Sequence, residues 1–199
     1  MNAQTIAIFD KYAEQYAELT FSNILQYELN RFISFLPKNA RIIDIGCGSG
    51  RDVQYFMDYG FQVVGIDAST NMINEAKKRV PNGEFEIMRF ESLNFSEESF
   101  DAAWVLDAIP FLEKKSVENF LSSFYSILKK DAIVFISARQ GVGETEIEYK
   151  KLGNSKLKVS FFYEEEIENL LRENGFEVLN LFTQEGEDFT WINVYARKK

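Results

Sequence analysis

Arg41-Ile42-Ile43-Asp44-Ile45 is a short β-branched run that leads straight into Gly46-Cys47-Gly48-Ser49-Gly50, and the spacing of Val53, Phe56 and Met57 after it is helical. A buried strand that turns through glycines into a helix fits few architectures. Glycine lets the backbone turn tightly and lets a ligand approach exposed amides closely. In an open α/β sheet, ligands bind in the crevice at the carboxyl ends of the strands, which is where this loop would stand.

The rest of the chain repeats the alternation. Gly60 stops the first of these helices, Phe61 to Ile66 reads as a second strand ending at Asp67, and Ser69 can cap a helix carrying Met72, Ile73, Ala76 and Val80. Pro81-Asn82-Gly83 closes that helix before a strand over 84–88; a strand over 100–106, a helix over 116–128 and a strand over 132–137 follow. Such alternation predicts a parallel sheet with right-handed crossovers. A helix over 164–174 then precedes strands over 176–182 and 190–196, whose link is short enough for a hairpin, so the last strand should be antiparallel. The expected fold class is α/β, with a seven-stranded, mostly parallel sheet. Two helices stand ahead of it, one over 5–20 and one capped by Ser22 and ended by Pro37. Residues 139–158 read as an irregular charged stretch in which Glu144, Glu146 and Glu148 face Lys150, Lys151, Lys156 and Lys158 as a solvated edge rather than a lid. At 199 residues the expectation is one domain over 1–199.

Composition removes several chemistries. The chain has no His, so Ser-His-Asp triads, His-ligated zinc and imidazole bases are excluded. Cys47 is the only cysteine, which rules out an internal disulfide and thiolate-rich metal sites; no metal is expected. A formal charge of -9 disfavours nucleic acid bound by a broad basic surface and points to a small molecule or a protein as substrate, of which a small molecule is the expected one. No apolar run is long enough to span a membrane, and the first residues lack the pattern of a signal peptide, so a cytoplasmic protein is expected, as a monomer or homodimer.

The loop discriminates among nucleotide ligands. The NAD fingerprint needs a third glycine where Arg51 stands, and no Gly-Lys-Ser/Thr follows for a phosphate loop. Asp67, at the end of the second strand, can accept both hydroxyl protons of a ribose. Ile43-Asp44-Ile45-Gly46-Cys47-Gly48-Ser49-Gly50 resembles the first motif of class I S-adenosylmethionine (SAM)-dependent methyltransferases, and Val64-Gly65-Ile66-Asp67-Ala68-Ser69 their second. The resemblance is to the small bacterial, methyltransferase-11-like group, and it extends through residues 9–16, Phe100 to Trp104, 175–178 and 191–197. It implies a Rossmann-like sheet with helices on both faces, SAM as cofactor, and residues 1–36 as N-terminal helices covering it. The cofactor residues it implies are Asp44, Gly46, Cys47, Gly48, Asp67, Ala68, Met72, Leu106 and Tyr16, with Phe90 or Glu91 at the adenine in place of the acid that would align near Arg89. The His that many relatives carry before a proline is missing from Asp107-Ala108-Ile109-Pro110.

A sulfonium methyl is already activated, so a protein need only align a nucleophile, exclude water and, where required, take a proton. Candidates for that work are Asp107, Arg139, Tyr16 and Tyr163, with a structural ion pair the safer reading of Arg139. Cys47 reads as a small residue fitted to its loop rather than a nucleophile. The two functional readings are a methyltransferase acting on an oxygen, nitrogen or sulfur of a small molecule, and a non-catalytic SAM- or nucleoside-binding regulatory module.

Overall fold

The computed structural model describes residues 1–199. Its elements in chain order are α1 (Ala3–Thr20), α2 (Gln26–Ser34), β1 (Arg41–Ile45), α3 (Arg51–Asp58), β2 (Gln62–Asp67), α4 (Thr70–Arg79), β3 (Glu84–Ile87) and β4 (Phe100–Val105). They continue with α5 (Lys114–Ile127), β5 (Leu128–Arg139), β6 (Glu144–Tyr149), β7 (Ser155–Ser160), α6 (Glu164–Glu173), β8 (Phe176–Glu185) and β9 (Thr190–Lys198).

Seven strands form one sheet in the order β3-β2-β1-β4-β5-β9-β8. The pairs from β3 to β5 are parallel and β9 runs antiparallel to both of its neighbours. The strand order reverses between β1 and β4, which opens a crevice at their carboxyl ends. Helices cover both faces. Val117, Phe120 and Phe124 of α5 and Ile167 and Leu171 of α6 pack with Ile43, Val105 and Val134 on one side; Val53 and Phe56 of α3 and Ile73 of α4 pack with Ile42, Trp104 and Phe135 on the other. Trp104 stacks on Phe135 at 4.0 Å between ring centroids and donates its indole N–H to Asp52 Oδ2 at 2.9 Å.

Three expectations need correction. The stretch 139–158 is ordered: β6 and β7 form an antiparallel pair in which Glu146 stands opposite Lys158 and Glu148 opposite Lys156. The charges alternate with Thr145, Ile147 and Tyr149 at the two-residue period of a strand, and cross-strand opposite charges support the pairing. Second, α2 starts at Gln26 with Leu25 at its N-cap, and Ser22 sits exposed in the preceding turn. Third, α1 reaches over the carboxyl ends of the strands, whereas α2 comes near them only at its N-cap, Leu25. Leu29 and Phe32 of α2 are buried against the α3 side of the sheet, where Phe32 lies 5.2 Å from Trp104.

The cover is thus α1 together with the β6–β7 pair. Leu152, Leu157 and Val159 are buried with Phe111 against Phe9, Tyr12 and Tyr16 of α1. Gly153 makes this contact feasible: its φ is +62°, and a Cβ there would stand 2.5 Å from the Tyr12 ring.

Candidate functional site

The glycine loop leaves β1 with Gly46, Gly48 and Gly50 all at positive φ. At Gly46 the requirement is also spatial, since a Cβ would come within 2.9 Å of Ala108 Cβ and 3.4 Å of the Phe90 ring. Gly46 and Cys47 donate their N–H groups to the Ile66 carbonyl, tying the loop to the end of β2. Gly48 N–H then donates to Asp67 Oδ2 at 3.1 Å, and Ser69 N–H to Asp67 Oδ1 at 2.8 Å. Burial pushes the Asp67 carboxyl up to about 6 even though these amides favour its charged form.

Two cavities meet over this loop. One, of about 60 Å³, is lined by Asp67, Met72, Phe90, Phe9 and Ala108 among others. The second, of about 330 Å³, is lined by Asp44, Cys47, Arg51, Lys151, Trp191 and Asn193 among others. Tyr16, Gly46, Gly48, Leu106 and Asp107 belong to both walls, so they mark the junction. An open polar groove between α1 and α4 lies away from the loop and contains none of these residues.

Electrostatics differ along the wall. Asp44 is buried, its Oδ2 has no hydrogen-bond partner, and burial together with the charge of Asp52 pushes its carboxyl well above the usual range. Arg51 is already spoken for, bonding Asp52 through Nε at 2.7 Å and Nη2 at 2.8 Å. At the junction, burial raises the Tyr16 hydroxyl to about 12, so it serves as a neutral donor rather than a base. Burial likewise pushes the Cys47 thiol well up, which keeps it an unreactive part of the loop.

Asp107 is the most constrained residue here. Its φ is +52°, an uncommon conformation for a residue other than glycine. Its N–H donates to Ser137 Oγ at 2.8 Å, and Arg139 Nη2 reaches both carboxylate oxygens at 2.8 and 2.7 Å. Burial still raises the carboxyl, against the lowering effect of Arg139. The Arg139 guanidinium is itself enclosed by Phe111, Tyr149, Phe189 and Trp191, with ring centroids 4.6 to 5.3 Å away.

Of the catalytic candidates, the structure therefore brings Asp107, Arg139 and Tyr16 together and leaves Tyr163 out. Tyr163 is 54% exposed at the N-cap of α6, outside both cavities, because the strand-to-helix turn there faces away from the crevice. Among the cofactor candidates, Ala68 and Glu91 line neither cavity. Glu91 is instead paired with the Met1 ammonium and stands 3.5 Å from Arg89, leaving Phe90 as the wall residue of that segment. Sequence reading missed Arg51, Lys151, Gln184, Trp191 and Asn193 as lining residues. Trp191 and Asn193 carried a usable signal, since they are two residues apart in a strand whose intervening Ile192 is buried in the core.

A glycine loop at a topological switch point, backed by an acid at the end of the next strand, defines a Rossmann-like α/β protein that binds a nucleoside-containing ligand. The family model for a methyltransferase domain matches residues 42–131. A malonyl-[acyl-carrier protein] O-methyltransferase of Salmonella typhimurium is 27% identical over 177 residues, which are 86% of this chain and 69% of that protein. A ubiquinone/menaquinone biosynthesis C-methyltransferase of Campylobacter jejuni is 28% identical over 109 residues, 51% of this chain and 46% of that one. In fold, a SAM-dependent methyltransferase from Methanosarcina mazei superposes with a TM-score of 0.77 at 21% identity, covering 83% of this chain and 95% of that one. The Burkholderia thailandensis 1,6-didemethyltoxoflavin-N1-methyltransferase, with bound 1,6-didemethyltoxoflavin and S-adenosylhomocysteine, gives 0.75 at 18% identity, over 98% and 88%. In sequence and in fold the chain is thus similar to class I SAM-dependent methyltransferases, enzymes whose methyl donor is SAM. No helix is long and apolar enough to cross a membrane.

Proposed function

We propose that the protein, as one domain over residues 1–199, transfers the methyl group of SAM to an oxygen, nitrogen or sulfur atom of a small cytoplasmic molecule. The observation that carries this reading is the junction of two cavities at Tyr16, Leu106 and Asp107. The smaller cavity suits the nucleoside: Asp67 for the ribose hydroxyls, Met72 and Phe90 for the adenine faces. The larger suits the methionine portion, where the unpartnered Oδ2 of Asp44 is matched to a cationic amino group and the Gly46–Gly48 backbone allows close approach. These residues fit SAM, which when bound supplies the activated methyl.

The chain's own contribution is then positioning. α1 and the β6–β7 pair exclude water from the junction, Tyr16 offers a hydroxyl donor, and Asp107 presents a fixed carboxylate that can take a proton from an incoming O–H, N–H or S–H. The relatives named above act on small or carrier-bound acceptors, in keeping with the acidic surface of this chain.

Calorimetry with SAM, S-adenosylhomocysteine and NAD tests the reading. The first two should bind and NAD should not; binding of NAD alone overturns it. Asp67→Ala should weaken SAM by about 1–3 kcal/mol through lost charge-assisted hydrogen bonds. Unchanged affinity would place the ribose elsewhere.

A further inference from the structure

The acceptor side of the larger cavity is built on one face of three adjacent strands. Register puts Arg139 of β5 opposite Trp191 of β9, and Trp191 opposite Gln184 of β8; Ser137 pairs with Asn193, and Asn193 with Phe182. Because strand side chains alternate between faces, these six share one face. Gln184, Trp191 and Asn193 line the cavity, and Asp107 borders it from the turn just after β4, held to the same face by Arg139 and Ser137.

Two features of this face specify chemistry. Asn193 Nδ2 donates to Gln184 Oε1 at 3.2 Å, the single hydrogen bond either side-chain amide makes. Two amides joined by one such bond leave one carbonyl oxygen and one amino group free, whichever way the pair is oriented. Asn193 is only 2% exposed, so its free group is held at the cavity wall rather than in bulk water. The pair thus offers one acceptor and one donor at the wall, the two groups that a lactam edge with its N–H beside C=O requires. The second feature is the Trp191 ring, a flat apolar surface next to that edge.

We infer that this face is the acceptor subsite and that it takes a planar nitrogen heterocycle bearing a lactam edge and a second ring N–H, methylated at the latter nitrogen; the inference rests on the methyl-transfer reading above. The lactam edge meets Gln184 and Asn193, the ring lies against Trp191, and the reacting N–H points at Asp107. The ring nitrogen's lone pair forms the new N–C bond as the S–C bond breaks, its electron pair staying on sulfur to give a neutral thioether. The ring N–H proton passes to the Asp107 carboxylate and then to water.

The test uses the full chain, with lumazine (pteridine-2,4-dione) as probe and 1,3-dimethyllumazine, which has the same outline without the N–H groups, as control. S-adenosylhomocysteine should bind wild type, Gln184→Leu and Trp191→Leu alike; failure to bind wild type overturns the cofactor reading itself. With that ligand bound, lumazine should bind wild type by calorimetry and lose about tenfold in affinity in each variant, the loss expected for one net hydrogen bond or stacking contact. The dimethyl control should bind at least about tenfold more weakly than lumazine. Gln184 is exposed at the rim, so its variant keeps the test valid even where a Trp191 change disturbs the packing around Arg139. Absence of lumazine binding to the loaded wild type, equal affinity in Gln184→Leu, or equal binding of the control overturns the subsite while leaving the cofactor reading intact.

Discussion

Arg139 holds Asp107 by a two-pronged contact, Nη2 lying 2.8 and 2.7 Å from the two carboxylate oxygens with Nε 3.1 Å from the first. The two residues differ in environment: the Arg139 side chain is 1% exposed and that of Asp107 25%. The arginine is therefore a buried cation stabilised by one carboxylate and four aromatic rings, while the acid keeps an open side toward the cavity.

Breaking such a pair from one side leaves a charge without its counterion. Arg139→Met should destabilise the fold by about 3 kcal/mol, the lower end for buried pairs because Asp107 retains contact with the cavity. Replacing both, Arg139→Met with Asp107→Leu, should recover most of that loss, since no unpaired charge remains. Urea unfolding of the three proteins decides it. A single variant as stable as wild type would mean the pair carries no structural charge balance.

Asp67 predicts two pH dependences of opposite sign. Its carboxyl is raised to about 6 in the folded protein, against about 3.9 in an unfolded chain. Folding therefore takes up a proton between these values, so the stability contributed by this group is full below about pH 4 and lost as pH rises through about 6, a difference of roughly 3 kcal/mol. Ribose hydroxyls need the ionised acid as acceptor, so SAM affinity should instead rise on the order of tenfold between pH 5 and pH 7. Titration calorimetry at several pH values should show the rise in wild type and its absence in Asp67→Asn.

The glycines of the loop should differ in their tolerance of a methyl group. Gly46→Ala carries both left-handed strain, about 1–2 kcal/mol, and overpacking against Ala108 and Phe90, about 1–3 kcal/mol more. A Cβ at Gly48 meets only the end of the Met72 side chain, at 3.2 Å. Gly48→Ala should therefore cost about 1–2 kcal/mol, the strain alone. Thermal unfolding should rank Gly46→Ala below Gly48→Ala, and the reverse ranking would show that Ala108 and Phe90 move aside.

How much of this was legible follows from where the determining forces act. The glycine loop, Asp67 and the Ser69 cap are local: Ser69 Oγ accepts the Met72 N–H at 3.1 Å, as strand-to-helix spacing alone implied. The β6–β7 pair was hidden because its Glu and Lys residues resemble a solvated charge run, and only cross-strand register turns them into partners. The acceptor face was hidden for a related reason: Arg139 is far in sequence from Trp191 and Gln184 and joins that hairpin pair only through the antiparallel register of β5 with β9. Tyr163 lies outside both cavities, since the strand that precedes it, β7, belongs to the separate two-stranded sheet.

The attachment of the cover to the cofactor loop yields the last prediction. Asp10 of α1 accepts the Ser69 hydroxyl at 2.6 Å and the Asn71 N–H at 2.9 Å through Oδ1, and its carbonyl accepts from Asn71 Nδ2 at 3.0 Å. Its carboxylate thus caps α4 from another helix, and Ser69 in turn supports Asp67 through its N–H. The negative charge also favours protonation of Asp67, so Asp10 both fastens the cover and tunes the acid beneath it. Asp10→Ala should release the cover, raising amide exchange across residues 3–20 and weakening SAM about three- to tenfold, in line with the loss of about 1 kcal/mol of hydrogen bonding. Asp10→Asn keeps an acceptor oxygen for the Asn71 N–H while removing the charge, so it should hold the cover and shift the pH dependence of SAM binding downward as the Asp67 carboxyl falls. Hydrogen exchange and calorimetry on the two variants separate fastening from tuning; equal exchange over 3–20 in Asp10→Ala and wild type would show that the packing of Phe9, Tyr12 and Tyr16 alone keeps the cover down.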